Sequence, residues 1–419
     1  MPVIKRQFGS TNLVPMMILS GLFFIFGFVT WLNGILIPYL KIACELSDFQ
    51  ALFVTFAFYI SYTVMALPSS YIIEKLGFKN GMVTGLWIMA IGTLIFVPAA
   101  LSRTYLAFLL GLFVMGTGLA LLQTASNPYV TVIGPKESAA RRISILGVCN
   151  KLAGAMAPLV LAYFIFNDAD TFVESIKALT EGDRLVALDA LASRVVIPYV
   201  VMTVVLIVMG IAVKYAPLPK IETEDENFDE AGGSSVWAFP HLILGVIALF
   251  LYVGVEVIAG DTIIRYGQSL GIEMSVAKAF TSYTLLCMLV GYFIGIACIP
   301  KYLSQQSALK YSAIFGVLFT LAAVFSSGII SVVFIALLGL ANALVWPAIW
   351  PLALDRIGRF LNIGSALLIM SIAGGAILPL AWGHMSDVFG SQMAYLIMIP
   401  AYLFILFYAV RGCKLKTWK

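Results

Sequence analysis

Long apolar runs, each about the length of a membrane-crossing helix, follow one another along almost the whole chain. An α-helix needs about 20 residues to cross roughly 30 Å of hydrocarbon. Runs of this length occur at 15–40, 48–73, 81–101, 104–133, 143–167, 195–217, 241–266, 276–300, 308–328, 330–354, 363–386 and 391–411. The pattern therefore predicts an all-α membrane protein with twelve transmembrane helices.

One polar stretch divides these spans into two sets of six. Residues 219–236 read PKIETEDENFDEAGGSSV, which is acidic and then rich in glycine and serine. Such a composition cannot bury a core, so we interpret the stretch as a linker. We predict an N-terminal six-helix bundle at 1–218, a cytoplasmic linker at 219–237 and a C-terminal six-helix bundle at 238–419.

The two sets also resemble each other in sequence. At an offset of 221 residues, Gly118-Leu119 falls on Gly339-Leu340, and further small residues and prolines match at the same offset. Duplicated halves of this kind are related by an axis along the membrane normal, and their substrate binds near the midplane between them. The repeat therefore predicts two pseudo-symmetric bundles with a binding site between them.

Composition and charge agree with a bilayer location. The chain is 61% hydrophobic and only 11% charged, whereas a soluble domain carries about 25% charged residues. If both termini are cytoplasmic, 17 of the 25 lysines and arginines lie on that side, as the positive-inside rule requires. We expect a monomeric multi-pass protein of the bacterial inner membrane, in contact with lipid and with no nucleic-acid partner.

Motifs for catalysis or metal binding are not found in the sequence. The five cysteines have no CxxC spacing, the two histidines are far apart, and no Gly-Lys-Ser/Thr nucleotide loop occurs. No set of nucleophile, base and orienting group is visible. We therefore expect neither an enzyme nor a metal site, and no direct use of ATP.

The loop after the second predicted span has a recognisable pattern, SSYIIEKLGFKNG. It resembles the signature loop of the major facilitator superfamily, with Glu74-Lys75 in place of Asp-Arg, followed by Gly77 and Lys79. Ser70 stands where that family has its first glycine. In that family the loop gates the cytoplasmic side, so the resemblance implies a gating role and no substrate contact for these residues.

A second block gives a narrower resemblance. The stretch LLQTASNPYVTVIGPKESAARRISILGVCNK is similar to the fucose permease branch of the superfamily, which includes bacterial glucose/galactose permeases. FGFVTWLNGILIP and FLYVGVEVIAGD also resemble that branch. The resemblance covers nearly the whole chain and implies a sugar:cation symporter that works by alternating access. The only further component it implies is a co-transported proton or sodium ion.

The chain departs from the fucose permease pattern at two acidic positions, which are Gly34 and Gln123 here. Gln123 is closer to the glucose/galactose members, so glucose or galactose is the expected substrate. A fucose or N-acetylhexosamine permease is the alternative on the same fold. A drug exporter or a non-transporting sugar sensor is the alternative from another class.

Amide and aromatic side chains within the spans are the candidate sugar contacts. Amides exchange hydrogen bonds with hydroxyl groups, and a polar group at membrane depth is costly without a partner. Such residues also join packed helices, which is the alternative interpretation. Asn33 and Asn150 match amides of the family pattern. Gln123 and Asn127 share a helical face because they are four residues apart, and so do Trp346 and Trp350. The candidates are Gln123, Asn127, Asn150, Asn33, Asn342, Trp346 and Trp350.

Glu256, Asp261 and Lys151 are charged residues within predicted spans, where an ionised group costs at least about 2.5–3.5 kcal/mol. Glu256 has no basic partner on its own helix, whereas Asp261 has Arg265 one turn further on. Lys151 either reaches back to the membrane surface or pairs with Glu256 across the two halves. We predict that Glu256 is the ion-coupling carboxylate and that Asp261 is mainly structural.

Overall fold

The computed structural model describes residues 13–46, 48–165, 179–219, 235–277 and 279–418. Residues 220–234, most of the predicted linker, lie outside this set, as do the first twelve residues of the chain. The described residues form helices joined by short turns. The predicted all-α architecture is confirmed.

The part of the first half that the structure describes contains six α-helices of very different lengths. One of them spans two predicted membrane passes, and another is a short helix that the apolar pattern did not predict. The helices are α1 (Leu13–Ala43), α2 (Asp48–Leu101), α3 (Tyr105–Val132), α4 (Ala139–Ile165), α5 (Glu181–Ser193) and α6 (Val196–Tyr215).

The helix α2 joins the second and third predicted spans and changes direction at Gly77. This residue has φ 75° and ψ 164°, in a region that residues with a side chain rarely adopt. The glycine therefore explains how one continuous stretch passes through the membrane twice. It also places the signature loop at one end of the bundle.

The second half is more interrupted, because several of its spans break into shorter helices. The helices are α7 (Pro240–Asp261), α8 (Ile263–Ser269), α9 (Met274–Ala277), α10 (Phe280–Cys298), α11 (Gln305–Phe325), α12 (Gly328–Asn342), α13 (Val345–Ala353), α14 (Leu361–Met370), α15 (Gly374–Phe389), α16 (Ser391–Ala394) and α17 (Met398–Val410).

The tenth predicted span, 330–354, is broken between α12 and α13. Pro347 lacks a backbone N–H and its ring clashes with the preceding turn, so an unbroken helix through this position is disfavoured. The eleventh span, 363–386, contains a 3₁₀ turn at Ser371–Ala373. The apolar pattern predicted where these spans lie but not where they break.

Ten stretches of the described residues are long and apolar enough to cross a membrane. Phe56–Leu101 has 46 residues, which is enough for two passes. The 27-residue helix α4 is also long enough, although it is not among the ten. Together these give the twelve passes that the apolar pattern predicts.

The two halves are joined at the end of the bundle that carries the C-terminus, called the C-terminal side below. The backbone N–H of Ala140 donates to Gln305 Oε1 at 2.9 Å, and Gln305 Nε2 donates to the Lys136 carbonyl at 2.8 Å. Lys136 Nζ also lies 3.5 Å from Asp355 Oδ1. These contacts connect the start of α4 to the second half and close the C-terminal side.

Asp355 is the centre of charge at this closure. Burial alone would raise the pKa of its carboxyl, but the hydrogen bond and charge of Lys416 and the charges of Lys136 and Arg356 hold that pKa below its usual value. A lowered pKa means that the contacts contribute at neutral pH. They are lost only as the pH falls below the usual carboxyl range, about 3.9.

At the opposite end, several ion pairs stay within one half. They are Arg184–Glu45 at 2.6 Å, Arg103–Asp189 at 3.5 Å and Arg265–Asp387 at 3.5 Å. The described hydrogen bonds and ion pairs between the halves therefore lie at the C-terminal side or at the central cavity described next.

Candidate functional site

A central cavity of about 400 Å³ lies between the halves. This volume falls within the range of about 300–1,000 Å³ that is usual for small-molecule pockets. The helices α1 to α4 supply one wall, and α7, α10 and α13 supply much of the other. Towards the C-terminal side, Tyr292 packs against Gly147, where an added Cβ would lie 2.7 Å from the ring. A side chain of one half therefore forms part of the cavity floor.

Three of the predicted amides line the first half of the cavity. Gln123 Nε2 donates to the hydroxyl of Tyr62 at 3.2 Å, and Asn127 Nδ2 donates to the Gln123 carbonyl at 2.9 Å. Asn150 Nδ2 donates to the Phe23 carbonyl at 3.2 Å. The Asn127 side-chain oxygen is buried and accepts no hydrogen bond from the described residues. This wall therefore retains hydrogen-bonding capacity.

The remaining predicted amides do not add to this wall. The side chain of Asn33 lies outside the described residues. Asn342 is 1% exposed and does not line the cavity, since its Oδ1 accepts from the Tyr402 hydroxyl at 2.9 Å. The prediction that Asn342 lines the cavity is wrong. This amide instead joins α12 to α17.

The two predicted tryptophans occupy different environments. Trp346 lines the cavity, whereas Trp350 is completely buried and does not. Their ring centroids are 5.7 Å apart, so the buried Trp350 packs against the tryptophan that lines the cavity. Placing Trp350 in the cavity wall from its spacing of four was therefore incorrect.

Aromatic residues that the sequence did not single out form much of the wall. The cavity is also lined by Trp31, Tyr59, Tyr62, Tyr252 and Tyr292. Two signals were available in the sequence. Tyr59 and Tyr62 are three residues apart on α2, and Tyr252 lies one turn before Glu256. Aromatic residues make up 13% of the chain, so neither signal was specific.

A buried ion pair crosses the cavity from one half to the other. Lys151 Nζ on α4 donates to Glu256 Oε1 on α7 at 2.7 Å. The two side chains are 9% and 18% exposed. The lysine also lies 5.5 Å from the ring centroid of Trp31, within range of a cation–π interaction. Of the two alternatives for Lys151, the structure therefore has the pair and not the extension to the membrane surface.

Asp261 also lines the cavity, where its side chain is exposed. The predicted ion pair with Arg265 is absent, because Arg265 Nη2 lies 3.5 Å from Asp387 Oδ1 instead. The helix α7 ends at Asp261 and the chain bends at Thr262, so the spacing of four does not bring the two side chains together. The expectation of a local salt bridge was wrong.

The signature loop lies away from the cavity. Glu74 and Lys75 are exposed, and the ammonium of Lys75 lies 4.2 Å from the ring centroid of Tyr71. Lys79 Nζ donates to the Ala216 carbonyl at 2.8 Å, just beyond α6. The loop therefore ties helices of the first half together, and a role in gating stays a prediction.

A cavity between the halves of a twelve-pass bundle, closed at one end and bridged by an ion pair, defines a membrane transport protein. The chain belongs to the Major Facilitator Superfamily, whose sequence profile matches residues 19–362. The family resemblance carried by the loop after the second span is therefore confirmed.

Individual relatives are similar over nearly their whole length. The chain is 33% identical to the glucose/galactose transporter of Brucella abortus, across 94% of this chain and 93% of that protein. It is 27% identical to the L-fucose-proton symporter of Escherichia coli K12, across 97% of this chain and 94% of that protein. The predicted relationship to this branch is confirmed.

Solved structures agree with the fold. The crystal structure of the transporter FucP in the outward conformation superimposes with a TM-score of 0.85 at 26% identity, covering 95% of this chain and 98% of that chain. The proton:xylose symporter XylE, at 14% identity, has a TM-score of 0.69 and covers 94% of each chain. The latter similarity concerns the fold alone.

Proposed function

We propose that this protein imports a monosaccharide, glucose or galactose, together with a proton by alternating access. The observation that carries the proposal is a cavity between the halves that combines amides with aromatic rings. Amides bind sugar hydroxyls, and rings cover the apolar faces of a pyranose. The wall has both kinds of group on facing helices.

The relatives support the choice of substrate and of coupling ion. The Brucella protein is named a glucose/galactose transporter, and the E. coli protein an L-fucose-proton symporter. Gln123 is an amide in the cavity wall, as the glucose/galactose branch resemblance implies. A hexose and a proton are therefore the favoured pair.

The orientation follows from the charge distribution. With the C-terminal side in the cytoplasm, 17 of the 25 basic residues lie on the cytoplasmic side. The closed end of the structure would then face inward and the cavity would receive sugar from outside. We place the protein in the inner membrane as a monomer with both termini cytoplasmic.

Counterflow in proteoliposomes tests this function. Vesicles loaded with unlabelled sugar are given labelled glucose, galactose, fucose, N-acetylglucosamine or a neutral drug, with pH and sodium gradients varied separately. Accumulation of glucose or galactose that responds to pH and not to sodium supports the proposal. Counterflow of fucose alone changes the assigned sugar, and movement of the drug alone refutes sugar transport.

Gln123→Ala and Asn150→Ala are each expected to weaken sugar affinity at least tenfold, a loss of about 1.4 kcal/mol. Each replacement removes an amide from the cavity wall. Isothermal titration of the purified variants measures the change. Gln306→Ala is the matched control, since this amide bonds the Ala409 carbonyl outside the cavity. Unchanged affinity in both cavity variants would reduce these amides to contacts between helices.

Glu74→Ala is expected to slow transport while leaving equilibrium sugar binding unchanged. The residue is exposed in the signature loop and lies outside the cavity, so its effect must come through the conformational change. Initial uptake rates and binding are compared with those of Glu181→Ala, another exposed acid. A large loss of affinity in folded Glu74→Ala protein would contradict the gating role.

A further inference from the structure

The charges around the cavity do not balance. The charged side chains among its described lining residues are Lys151, Glu256 and Asp261. Lys151 and Glu256 neutralise each other through their 2.7 Å contact. One carboxylate of the cavity is therefore in excess whenever Asp261 is ionised.

Glu256 is poorly suited to carry the coupling proton. Lys151 Nζ donates to Glu256 Oε1 at 2.7 Å, so the charge of this carboxylate is already compensated by a basic partner. Protonating Glu256 would also leave the largely buried ammonium of Lys151 without its partner, which is costly. The sequence favoured Glu256 because it has no basic residue on its own helix, and the partner from α4 removes that reason.

Asp261 has the opposite surroundings. No lysine or arginine among the described residues forms an ion pair with it, and Arg265 is engaged with Asp387. The other polar groups that line the cavity around it are Tyr59 of α2 and Thr281 of α10, which are neutral, and the negative Glu256. Lys151 is the basic group that acts on it from α4, and this lysine is already paired.

The position of Asp261 in its helix also disfavours its charge. It is the last residue of α7, and a helix C-terminus carries partial negative charge. Its side chain is exposed to the cavity, so a proton can reach it from water. Asp261 therefore differs from Glu256 in having no ion-pair partner among the described residues, in lying at a helix C-terminus and in being more exposed to the cavity.

We propose that Asp261 binds the coupling proton, an inference that rests on the proposed sugar:proton symport. Sugar entering the cavity displaces the water that solvates the ionised carboxylate, and an unpaired charge out of water is costly. A proton on Asp261 removes this charge, so the sugar-loaded cavity closes only when the proton is bound. The empty cavity keeps its water and returns with Asp261 ionised.

Protonation of Asp261 would couple the movement of the sugar to the movement of the proton. The proton joins a carboxylate oxygen of Asp261 from water on one side and leaves to water on the other side. Sugar and proton each bias the same closing step, because each changes the relative free energy of the open and closed cavity. The Lys151–Glu256 pair connects the two halves across the same cavity.

The test compares proton movement with sugar movement in the same proteoliposomes. Asp261→Asn mimics the protonated state, so we expect sugar counterflow to continue at a reduced rate. Two signals should be lost in this variant. They are the rise in external pH when sugar is added and the accumulation of sugar driven by a pH gradient. Asp387→Asn is the matched control, since that carboxylate is exposed and lies outside the cavity, and it should keep both signals.

Two further variants protect the test from a folding defect. Asp261→Ser should uncouple in the same way, and Asp261→Glu should keep the pH signal because a titratable carboxyl remains. A sugar-dependent pH rise in folded Asp261→Asn overturns the proposal. The proposal also fails if proton coupling persists and glucosamine transport alone is lost, since the carboxylate would then bind a substrate ammonium. Failure of the wild-type protein to exchange any sugar refutes the proposed function, and with it this inference.

Discussion

We expect Lys151→Met to abolish sugar counterflow and to destabilise the folded protein, because it removes one partner of the ion pair across the cavity. Removing one partner of a buried ion pair costs about 3–5 kcal/mol, because the other charge is left uncompensated. Here the remaining charge is Glu256, which is 18% exposed in the wild-type protein. Thermal unfolding in detergent and counterflow in vesicles measure the two effects.

The double variant Lys151→Met/Glu256→Gln provides the internal control for this result. It removes both charges together, so no uncompensated charge remains, and we expect its unfolding temperature to return towards the wild-type value. The difference between the double variant and the sum of the single variants gives the coupling energy of the pair. If the single and double variants unfold alike, the pair does not stabilise this state.

The second large effect is expected for Gly27→Ala. We expect this variant to give less folded protein and to bind sugar more weakly. An added Cβ at this position would overlap the backbone carbonyl of Asn150, so α1 and α4 must move apart. Overpacking of this kind costs typically about 1–3 kcal/mol, and backbone atoms cannot rotate out of the way. The displaced residue also belongs to the cavity wall.

The matched control is Gly260→Ala, at a helical glycine of α7 where an added Cβ meets no atom within 4 Å. Its unfolding free energy should change by no more than about 1 kcal/mol, the difference in helix propensity. Unfolding temperature and sugar affinity are measured for both variants. Equal behaviour of the two would show that the close approach of α1 and α4 is not required.

Much of the fold could be predicted from the sequence, because the length and polarity of a membrane span are local properties. The breaks within the spans could not be placed. Pro347 was visible in the sequence, but whether a proline kinks or interrupts a helix depends on the neighbouring helices. The helix α5 was missed since it is neither long nor apolar enough for the pattern used to find spans.

The candidate site could be predicted only in part, because contacts between separate helices decide which side chains reach the cavity. Gln123, Asn127 and Asn150 were identified from their chemistry and their match to a family pattern, and the structure places them in the cavity wall. Trp350 has the same chemistry as Trp346, but it is completely buried and does not line the cavity. Helical spacing shows which residues share a face, not which of them reaches the cavity.

The two acids of α7 show the same limit more sharply. Their sequence neighbours gave Asp261 a partner, Arg265, and gave Glu256 none. The fold reverses this assignment, because Lys151 comes from a span more than a hundred residues away and Arg265 contacts Asp387. The pairing of charges between separate helices is not recorded in their spacing along one helix.

The central claim, that the chain couples a sugar to a proton, is tested most directly by one measurement on the purified wild-type protein. Proteoliposomes in weakly buffered medium receive glucose or galactose while the external pH is recorded, with protein-free liposomes as the control. The account predicts that the external pH rises on sugar addition, and that a protonophore abolishes the rise. Sugar counterflow with no change in external pH would contradict it.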